Sequence, residues 1–311
     1  MGPDITWLEA EKDRYASYTQ SDHTRAEYGR DWKQFTAWCV AAGRKPLPAT
    51  PETVVLYLTD RLGRGSAVSS AIRYSSAINS YHRAGLLQAP ADRSVWALIR
   101  GVQRCRGEWP QGKTALTVDQ LQRICAAMQG SSDPWEIRNH AILVLSFGSA
   151  LRRSNVVNLD LADVEITPEG VLLTVKKAKE DQESKGRLLA VARGERPETC
   201  PVQTLERWLA LRGAAAGPLF VRITHGKPTL QRLRAKIVAK VVKRGVESIG
   251  VSSGPYAAHS LRSGMASAAL QAGFPDIVVA AHLGHHSLNS LKRYYRPTDP
   301  FKGNASAGIG L

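Results

Sequence analysis

The chain has 311 residues, 43% of them hydrophobic, and a formal net charge of +15. That length accommodates two domains of ordinary size, and the hydrophobic fraction is typical of a globular protein. No apolar run reaches the length of a membrane span, and the acidic, polar residues 1–14 do not resemble a signal peptide, so we expect a cytoplasmic protein. The four cysteines form no close pair, which argues against a disulfide framework and a cysteine zinc site.

The positive charge is unevenly distributed along the chain. Residues 61–106 contain eight arginines and a single acidic residue, Asp92. Lysine and arginine side chains that neutralise phosphates supply most sequence-independent affinity for nucleic acid. A membrane surface could also attract this charge, but the sequence contains no basic amphipathic tail. The charge therefore predicts a nucleic-acid partner, although a solvated basic surface would give the same count.

The first hundred residues predict a bundle of four helices with short connections. An aromatic stripe at helical spacing runs to Gly43, and Thr50 followed by Pro51 has the form of an N-cap and first helical position. Gly85 ends the third predicted helix. The four helical segments are residues 23–43, 50–62, 65–85 and 92–106.

The third helix and the turn before it are rich in small polar residues and arginine. Small residues allow a backbone to approach DNA closely, and arginines reach phosphates or guanine edges. An exposed helix face without a ligand has the same composition. The residues predicted to contact DNA are Arg64, Ser70, Arg73, Ser76, His82 and Arg83.

A second domain is predicted to follow a linker. Residues 107–116 combine glycine and proline with no periodicity, and Thr117 with Gln120 forms a capping box. The segment 163–191 alternates apolar and polar residues, with turns at 168–170 and 179–186. The predicted helices are 117–129, 134–148, 201–212, 228–246, 258–272, 275–283 and 287–295. We therefore predict a mainly α protein with a small antiparallel β-sheet, divided into a helical domain at 1–106 and an α+β domain at 117–311.

Five places in the second domain concentrate polar groups. Each has an ordinary structural explanation, such as a surface arginine, an exposed hairpin lysine or a chance H-x-x-R pair. A tyrosine can also act as a covalent nucleophile, and surrounding cations would stabilise the charge of a phosphoryl-transfer transition state. The five places are Arg152, Lys179, the pair His259 and Arg262, the histidines 282, 285 and 286, and the tyrosines 294 and 295. The histidines have no carboxylate or cysteine at ligand spacing, so we predict no metal site.

The order and spacing of these residues resemble those of the tyrosine recombinases, the phage integrase family. The matching segments are "ALRRSNVVNLDLADV", "KKAKEDQESKGR", "AAHSLRSGMASAALQAG" and "LGHHSLNSLKRYY", which lie between residues 150 and 295. The helical N-terminal domain is similar to the family's core-binding domain, which clamps DNA. The form expected is the simple two-domain type without an arm-binding domain.

The resemblance implies a role for each matched residue. Tyr294 would be the nucleophile, with Tyr295 as the alternative. Arg152, or its neighbour Arg153, would clamp the scissile phosphate with Arg262. The remaining implied roles are a general acid at Lys179 (ahead of Lys176 and Lys177), a proton-transfer residue at His259 and a phosphate hydrogen-bond donor at His285. Asn155 stands where the family often has a carboxylate.

The resemblance also implies a function. It is site-specific DNA recombination through a 3′-phosphotyrosine intermediate, without metal, ATP or another cofactor. The partners would be double-stranded DNA with an inverted-repeat core site and three further copies of the chain, assembled as a homotetramer that passes through a Holliday junction at the nucleoid. Two alternatives stay open: a type IB-like topoisomerase, and a DNA-binding protein that has lost catalysis on the same fold.

Overall fold

The computed structural model describes residues 7, 11, 22–107, 112–176, 186–285, 287–291 and 294. The chain divides into two compact units, Met1–Gly112 and Lys113–Leu311. The division falls within the segment 107–116 that the sequence predicts as a linker. In the described part of the chain, no helix combines the length and hydrophobicity that a membrane-spanning segment requires.

The four helices predicted for the first unit are confirmed. Their bounds are Asp22–Ala41 (α1), Pro51–Gly63 (α2), Val68–Ala84 (α3) and Arg93–Arg106 (α4). Thr50 caps α2 by accepting a hydrogen bond from the Thr53 amide at 3.2 Å, and Pro51 is the first helical residue. The helices begin and end where the local signals predict because capping needs only neighbouring residues.

Aromatic side chains form much of the core of the first unit. Phe35 is fully buried and its ring meets Tyr57 edge-on at 5.1 Å between centroids. Trp32 stacks on Tyr81 with the ring centroids 4.5 Å apart. This contact joins α1 to α3, and Tyr81 is half-buried.

His82 is a correction to the predicted DNA contacts. Its side chain is fully buried, with Nδ1 donating to the Ile78 carbonyl at 2.8 Å and Nε2 accepting from the Ala49 amide at 2.9 Å. Both ring nitrogens are therefore used inside the unit, and the prediction of a DNA contact at His82 is wrong. The histidine instead ties α3 to the segment that precedes α2.

The other residues predicted to contact DNA differ in whether their side chains are bonded within the protein or exposed. Arg73 is held by Glu27 at 2.5 Å and by Asp31 at 3.0 Å, so its guanidinium is part of an ion-pair network between α1 and α3. The Ser76 hydroxyl donates to the Ile72 carbonyl. Arg64 and Arg83 are exposed and Ser70 is half-buried. Their DNA contacts stay predictions.

The second unit contains, in its described part, seven α-helices and five strands. The helices are Val118–Gln129 (α5), Pro134–Ser149 (α6), Arg153–Asn158 (α7), Pro201–Arg212 (α8), Lys236–Ser248 (α9), His259–Gln271 (α10) and Asp276–Leu283 (α11). The strands are Val164–Ile166 (β1), Gly170–Val175 (β2), Arg187–Ala192 (β3), Val221–Thr224 (β4) and Lys227–Arg232 (β5). Strands β1, β2 and β3 form an antiparallel sheet in that order, and β4 pairs with β5 as a separate hairpin. The predicted mainly α fold with a small antiparallel sheet is confirmed, and the β4–β5 hairpin is a second sheet that the sequence analysis does not predict.

The helix predicted at 228–246 is wrong in its first part. Residues 228–232 belong to β5, and the helix begins only at Lys236. His225 and Gly226 both have positive φ, 50° and 74°, which is the backbone of the tight turn that closes a hairpin. Pairing with β4 therefore decides the structure of this segment. At the C-terminal end, the described part of the predicted helix 287–295 is a 3-10 turn at Leu288–Leu291.

Helix α6 is the central element of the second unit. Its residues from Arg138 to Ser146 are all buried, which is the pattern of a helix surrounded by other elements. Asp133 caps its start by accepting from the Trp135 amide, and Pro134 is its first residue. Helices α5, α8, α9 and α10 and strand β3 pack around it. The C-terminal end of α6 leads directly into the segment that contains Arg152.

Candidate active site

The site begins where α6 ends in a left-handed residue, Ala150. Its φ and ψ are 49° and 23°, a conformation that costs an L-residue other than glycine roughly 1–2 kcal/mol. The turn directs the Ala150 carbonyl to the guanidinium of Arg262, whose Nη1 donates to it at 2.7 Å. Two residues later, Arg152 takes the N-cap position of α7 and is half-buried. The strained turn thus places Arg152 two residues after Ala150, whose carbonyl accepts from Arg262.

Arg262 is 2% exposed and lies on α10. Besides Ala150, its guanidinium contacts the Leu283 carbonyl, to which Nη2 donates at 2.9 Å. The same Nη2 lies 2.8 Å from Nε2 of His285. Arg262 therefore joins α10 to two other segments: the end of α6, and the end of α11 with the turn that follows it.

Arg262 and His285 are in hydrogen-bond contact. An arginine guanidinium only donates hydrogen bonds, so Nε2 of His285 is the acceptor in this contact. Its ring also stacks against Tyr294, with an interplanar angle of 14° and centroids 6.0 Å apart.

Tyr294 is 3% exposed and packs in a small apolar cluster with Ala266, Leu283 and Leu291. The Ser267 hydroxyl on α10 donates to its carbonyl at 3.1 Å. The ring centroid of His259, at the start of α10, lies 6.3 Å from that of Tyr294. His259 is itself exposed. The tyrosine is therefore placed beside two histidines, one of which contacts Arg262.

The structure brings together four of the six predicted catalytic residues, namely His259, Arg262, His285 and Tyr294. Arg152 is joined to them through the backbone of residues 150–152. Lys179 lies outside the described residues, as do His286 and Tyr295. Lys176 is described, is exposed and forms an ion pair with Asp163. Among the described residues, no three histidine, cysteine, aspartate or glutamate side chains group as metal ligands would.

Sequence reasoning missed Arg187, which supports the turn that contains His285. Arg187 begins β3, and its Nη1 donates to the carbonyls of Ala281 at 2.9 Å and His282 at 3.0 Å, both in the last turn of α11. Gly284 follows with φ 67°, and a Cβ there would lie 3.0 Å from Cζ of Arg187. No local pattern marks an arginine at the start of a strand as the cap of a helix a hundred residues away.

The sequence analysis considers His282 only as a metal ligand. In the structure its side chain instead joins two helices. Nε2 of His282 donates to the Gly148 carbonyl at 2.8 Å, which connects α11 to α6. Burial lowers the pKa of His282, because the charged imidazolium would lose its hydration there. The residue therefore stays neutral near pH 7 and holds the two helices that frame the site.

We expect Arg187→Ala to lower the rate of strand cleavage by about 10- to 100-fold while Arg187→Lys restores part of it. The alanine variant removes the Arg187 hydrogen bonds to the Ala281 and His282 carbonyls, of which Ala281 still accepts from the Gly284 amide at 3.0 Å. It also removes the side chain packed on Gly284, so His285 loses its fixed position. Single-turnover cleavage of a nicked duplex under saturating protein measures the effect apart from binding.

The matched control is Arg193→Ala, which removes an exposed arginine. Among the described residues, its side chain donates to the carbonyls of Thr167 and Pro168 in the turn of the same sheet. Its cleavage rate should stay within about 3-fold of the unmodified protein. Equal losses in both variants would mean that Arg187 acts through general stability of the sheet and not through His285.

The arrangement as a whole is suited to phosphoryl transfer. Arginine supplies a fixed fork of donors that matches phosphate oxygens, histidine can donate or accept a proton near neutral pH, and a phenol can attack phosphorus. Donors placed in advance where charge develops lower the barrier of such a reaction.

Comparison with known proteins agrees with this chemistry. The family model described as the phage integrase family matches residues 114–300. The chain is 30% identical over 292 residues to an integrase/recombinase XerD homologue of Selenomonas ruminantium, covering 92% of this chain and 85% of that protein. It is 26% identical over 307 residues to the recombinase Cre of Escherichia phage P1, covering 91% and 86%.

Solved structures share the fold at lower sequence identity. The Tn1549 transposon integrase in complex with transposon right-end DNA has a TM-score of 0.65 and 14% identity, and the match covers 93% of this chain and 94% of that one. A lambda integrase dimer bound to a COC′ core site has a TM-score of 0.61 and 18% identity, covering 94% and 95%. A lambda integrase tetramer bound to a Holliday junction has a TM-score of 0.60 and 17% identity, covering 93% and 76%.

Proposed function

Because the chain belongs to the phage integrase family and is a tyrosine recombinase, we propose that it recombines specific DNA sites through a covalent bond to Tyr294. The observation that carries the proposal is the contact of Tyr294 with His285, which is itself bonded to the buried Arg262. The phenol, a phosphate-binding arginine and a histidine are thus within one cluster.

The proposed reaction exchanges one phosphodiester for another. The phenol oxygen of Tyr294 attacks the phosphorus, its proton passes to His259, and the bond from phosphorus to the 5′ oxygen breaks. Lys179 protonates the leaving 5′ oxygen, while Arg152, Arg262 and His285 bind the non-bridging oxygens. The products are a 3′-phosphotyrosine and a free 5′ hydroxyl. A 5′ hydroxyl from another strand then attacks the phosphotyrosine and releases Tyr294. The covalent intermediate conserves the energy of the phosphodiester bond, so the proposed reaction needs neither ATP nor metal.

The described state is closed to substrate. Tyr294 is 3% exposed and Arg262 is 2% exposed, so a phosphate reaches neither side chain without local movement. Nη2 of Arg262 also donates a hydrogen bond to Nε2 of His285. We propose that DNA binding exchanges this bond for a phosphate oxygen, and that His285 then presents a ring N–H to the phosphate.

The assembly is proposed from the substrate and the relatives. A recombinase must hold two duplexes, and exchange between them passes through a four-way junction. A lambda integrase of the same fold is a tetramer on a Holliday junction. We propose that four copies of this chain act at the nucleoid, on two sites built from inverted repeats. In each copy, residues 1–106 would clamp the DNA through the exposed cations of α3 and its preceding turn, and residues 117–311 would cut it.

The test uses genomic DNA fragments and nicked duplexes of two lengths in EDTA. Protein-linked fragments recovered after SDS identify the cleavage site by sequencing of their ends. Nicked duplexes of that site should then yield strands that join the long duplex to the short one. Relaxation of a supercoiled plasmid that carries the cleavage site, without joined strands, would indicate a topoisomerase. Binding without any covalent adduct on the nicked duplex would indicate a DNA-binding protein. Either result overturns the recombinase proposal.

A further inference from the structure

The short helix α7 carries Arg152 at its N-terminal end. The Arg152 carbonyl accepts from the amides of Asn155 at 2.8 Å and Val156 at 3.1 Å, so the backbone of the arginine is part of the first turn of the helix. The helix has six residues, whereas an isolated helix shorter than about 12 residues is marginal in water. The position of α7 therefore depends on the groups that hold it from outside.

Arg232, the last residue of β5, binds the opposite end of α7. Its Nη1 donates to the Val157 carbonyl at 2.7 Å and to the Leu159 carbonyl at 3.3 Å. Its Nη2 forms an ion pair with Oδ1 of Asp160 at 2.5 Å. One guanidinium thus contacts three residues of the segment in which α7 ends.

These contacts are suited to the C-terminal end of a helix. The last carbonyls of a helix have no amide partner within it and carry partial negative charge, so a cation at this end stabilises them. The Leu159 carbonyl has a second donor, the Leu219 amide at 2.9 Å. A planar guanidinium also fixes the direction of each bond that it donates, which a lysine ammonium does not. Arg232 therefore fixes the orientation of the end of α7 in addition to supplying charge.

The strand that carries Arg232 is itself held in the core. Arg232 pairs with Val221 across the β4–β5 hairpin, and the amide of the next residue, Leu233, donates to the Phe220 carbonyl at 3.0 Å. Phe220 and Val221 are fully buried in the core of the second unit. The Arg232 side chain therefore connects a fixed part of that core to α7.

We propose that Arg232 is a positioning residue for Arg152 in strand cleavage. The inference rests on the proposed function, in which Arg152 binds a non-bridging oxygen of the scissile phosphate. The helix between the two arginines is about 9 Å long, so a displacement of one end is transmitted to the other. The turn before Arg152 is bonded to Arg262 through the Ala150 carbonyl. Arg152 and Arg262 thus keep a fixed relative position at the phosphate only while Arg232 holds the far end of α7.

The test compares single-turnover cleavage of two nicked duplexes under saturating protein. One has the ordinary scissile phosphodiester, and the other has a methylphosphonate there, in which a neutral methyl group replaces one non-bridging oxygen. The methylphosphonate develops less negative charge in the transition state, so it depends less on a cationic donor. Loss of an arginine that acts on this charge slows the phosphodiester more than the methylphosphonate, whereas loss of stability slows both alike.

Arg232→Ala should slow cleavage of the phosphodiester by about 10- to 100-fold and cleavage of the methylphosphonate by less than about 3-fold. Arg232→Lys keeps the charge without the planar fork and should recover part of the phosphodiester rate. When Arg232→Ala is added to Arg152→Ala, the rate should change by less than about 3-fold further, because the residue through which Arg232 acts is already absent.

The matched control is Arg222→Ala, which removes an exposed arginine from β4 of the same hairpin. Nη1 of Arg222 donates to Oε1 of Gln231 at 2.7 Å, on the neighbouring strand. Both cleavage rates of this variant should stay within about 3-fold of the unmodified protein. Equal slowing of the two substrates by Arg232→Ala would overturn the proposal. An unchanged phosphodiester rate would do the same, as would losses that multiply in the double variant.

Hydrogen exchange separates this inference from the proposed function because it requires no cleavage. The Asn155 and Val156 amides should exchange at least about 10-fold faster in Arg232→Ala and at an unchanged rate in Arg222→Ala. Faster exchange in a protein that forms no covalent adduct would overturn the recombinase proposal and support the anchoring of α7 by Arg232. Unchanged exchange and unchanged cleavage in Arg232→Ala would leave the recombinase proposal standing and overturn the positioning role.

Discussion

Tyr294→Phe is expected to reduce covalent adduct formation and strand joining at least about 10³-fold, to background, with little change in DNA affinity. The substitution removes only the phenol oxygen, the proposed nucleophile. The ring keeps its packing against His285 and within the buried cluster of Ala266, Leu283 and Leu291. A nicked duplex of the cleavage site, stopped with SDS and resolved by electrophoresis, measures adducts directly, and a filter-binding titration measures affinity.

Tyr295→Phe is the matched control because it makes the same chemical change one residue later. It should retain adduct formation within about 5-fold. Adducts that persist in Tyr294→Phe and vanish in Tyr295→Phe would assign the nucleophile to the neighbouring residue. Adducts that persist in both variants would contradict a nucleophile in this tyrosine pair.

Gly264→Ala is expected to destabilise the second unit by about 3 kcal/mol or more. A Cβ at Gly264 would lie 1.9 Å from the Leu116 carbonyl oxygen and 2.9 Å from Cε2 of Phe147. The closer contact is backbone, and the Leu116 amide is bonded to the Ser260 carbonyl of the same helix at 2.9 Å. Helix α10 must therefore move away from this segment as a whole. The displacement would also move Arg262, which lies two residues earlier on α10.

Urea denaturation followed by circular dichroism measures the loss of stability, with Gly130→Ala as the control. Gly130 ends α5 in the same unit and has φ −85°, and a methyl group added there would meet no atom within 4 Å. That variant should remain within about 0.5 kcal/mol of the unmodified protein. A Gly264→Ala variant of normal stability and normal cleavage rate would show that the close approach of α10 to Leu116 is dispensable.

The sequence by itself predicts most helices, because their boundaries depend on neighbouring residues. Thr117 and Gln120 form the predicted capping box, and Pro201 begins α8 as the pattern indicates. It also identifies the family, because the motif residues occur at distinctive spacings. Four of the six predicted catalytic residues meet in the structure, although their individual roles rest on the experiments above.

Other features are decided only by the tertiary structure. The sequence predicts that His82 faces DNA, yet it is enclosed between Ala49 and Ile78, since a helix face of small polar residues does not reveal which neighbour covers it. Residues 228–232 form a strand because β4 lies beside them. The role of Arg187 depends on its contacts with the end of α11, a segment distant in the chain. Capping and periodicity are local properties that a sequence displays directly, whereas burial and charge pairing depend on which distant segments the folded chain brings into contact.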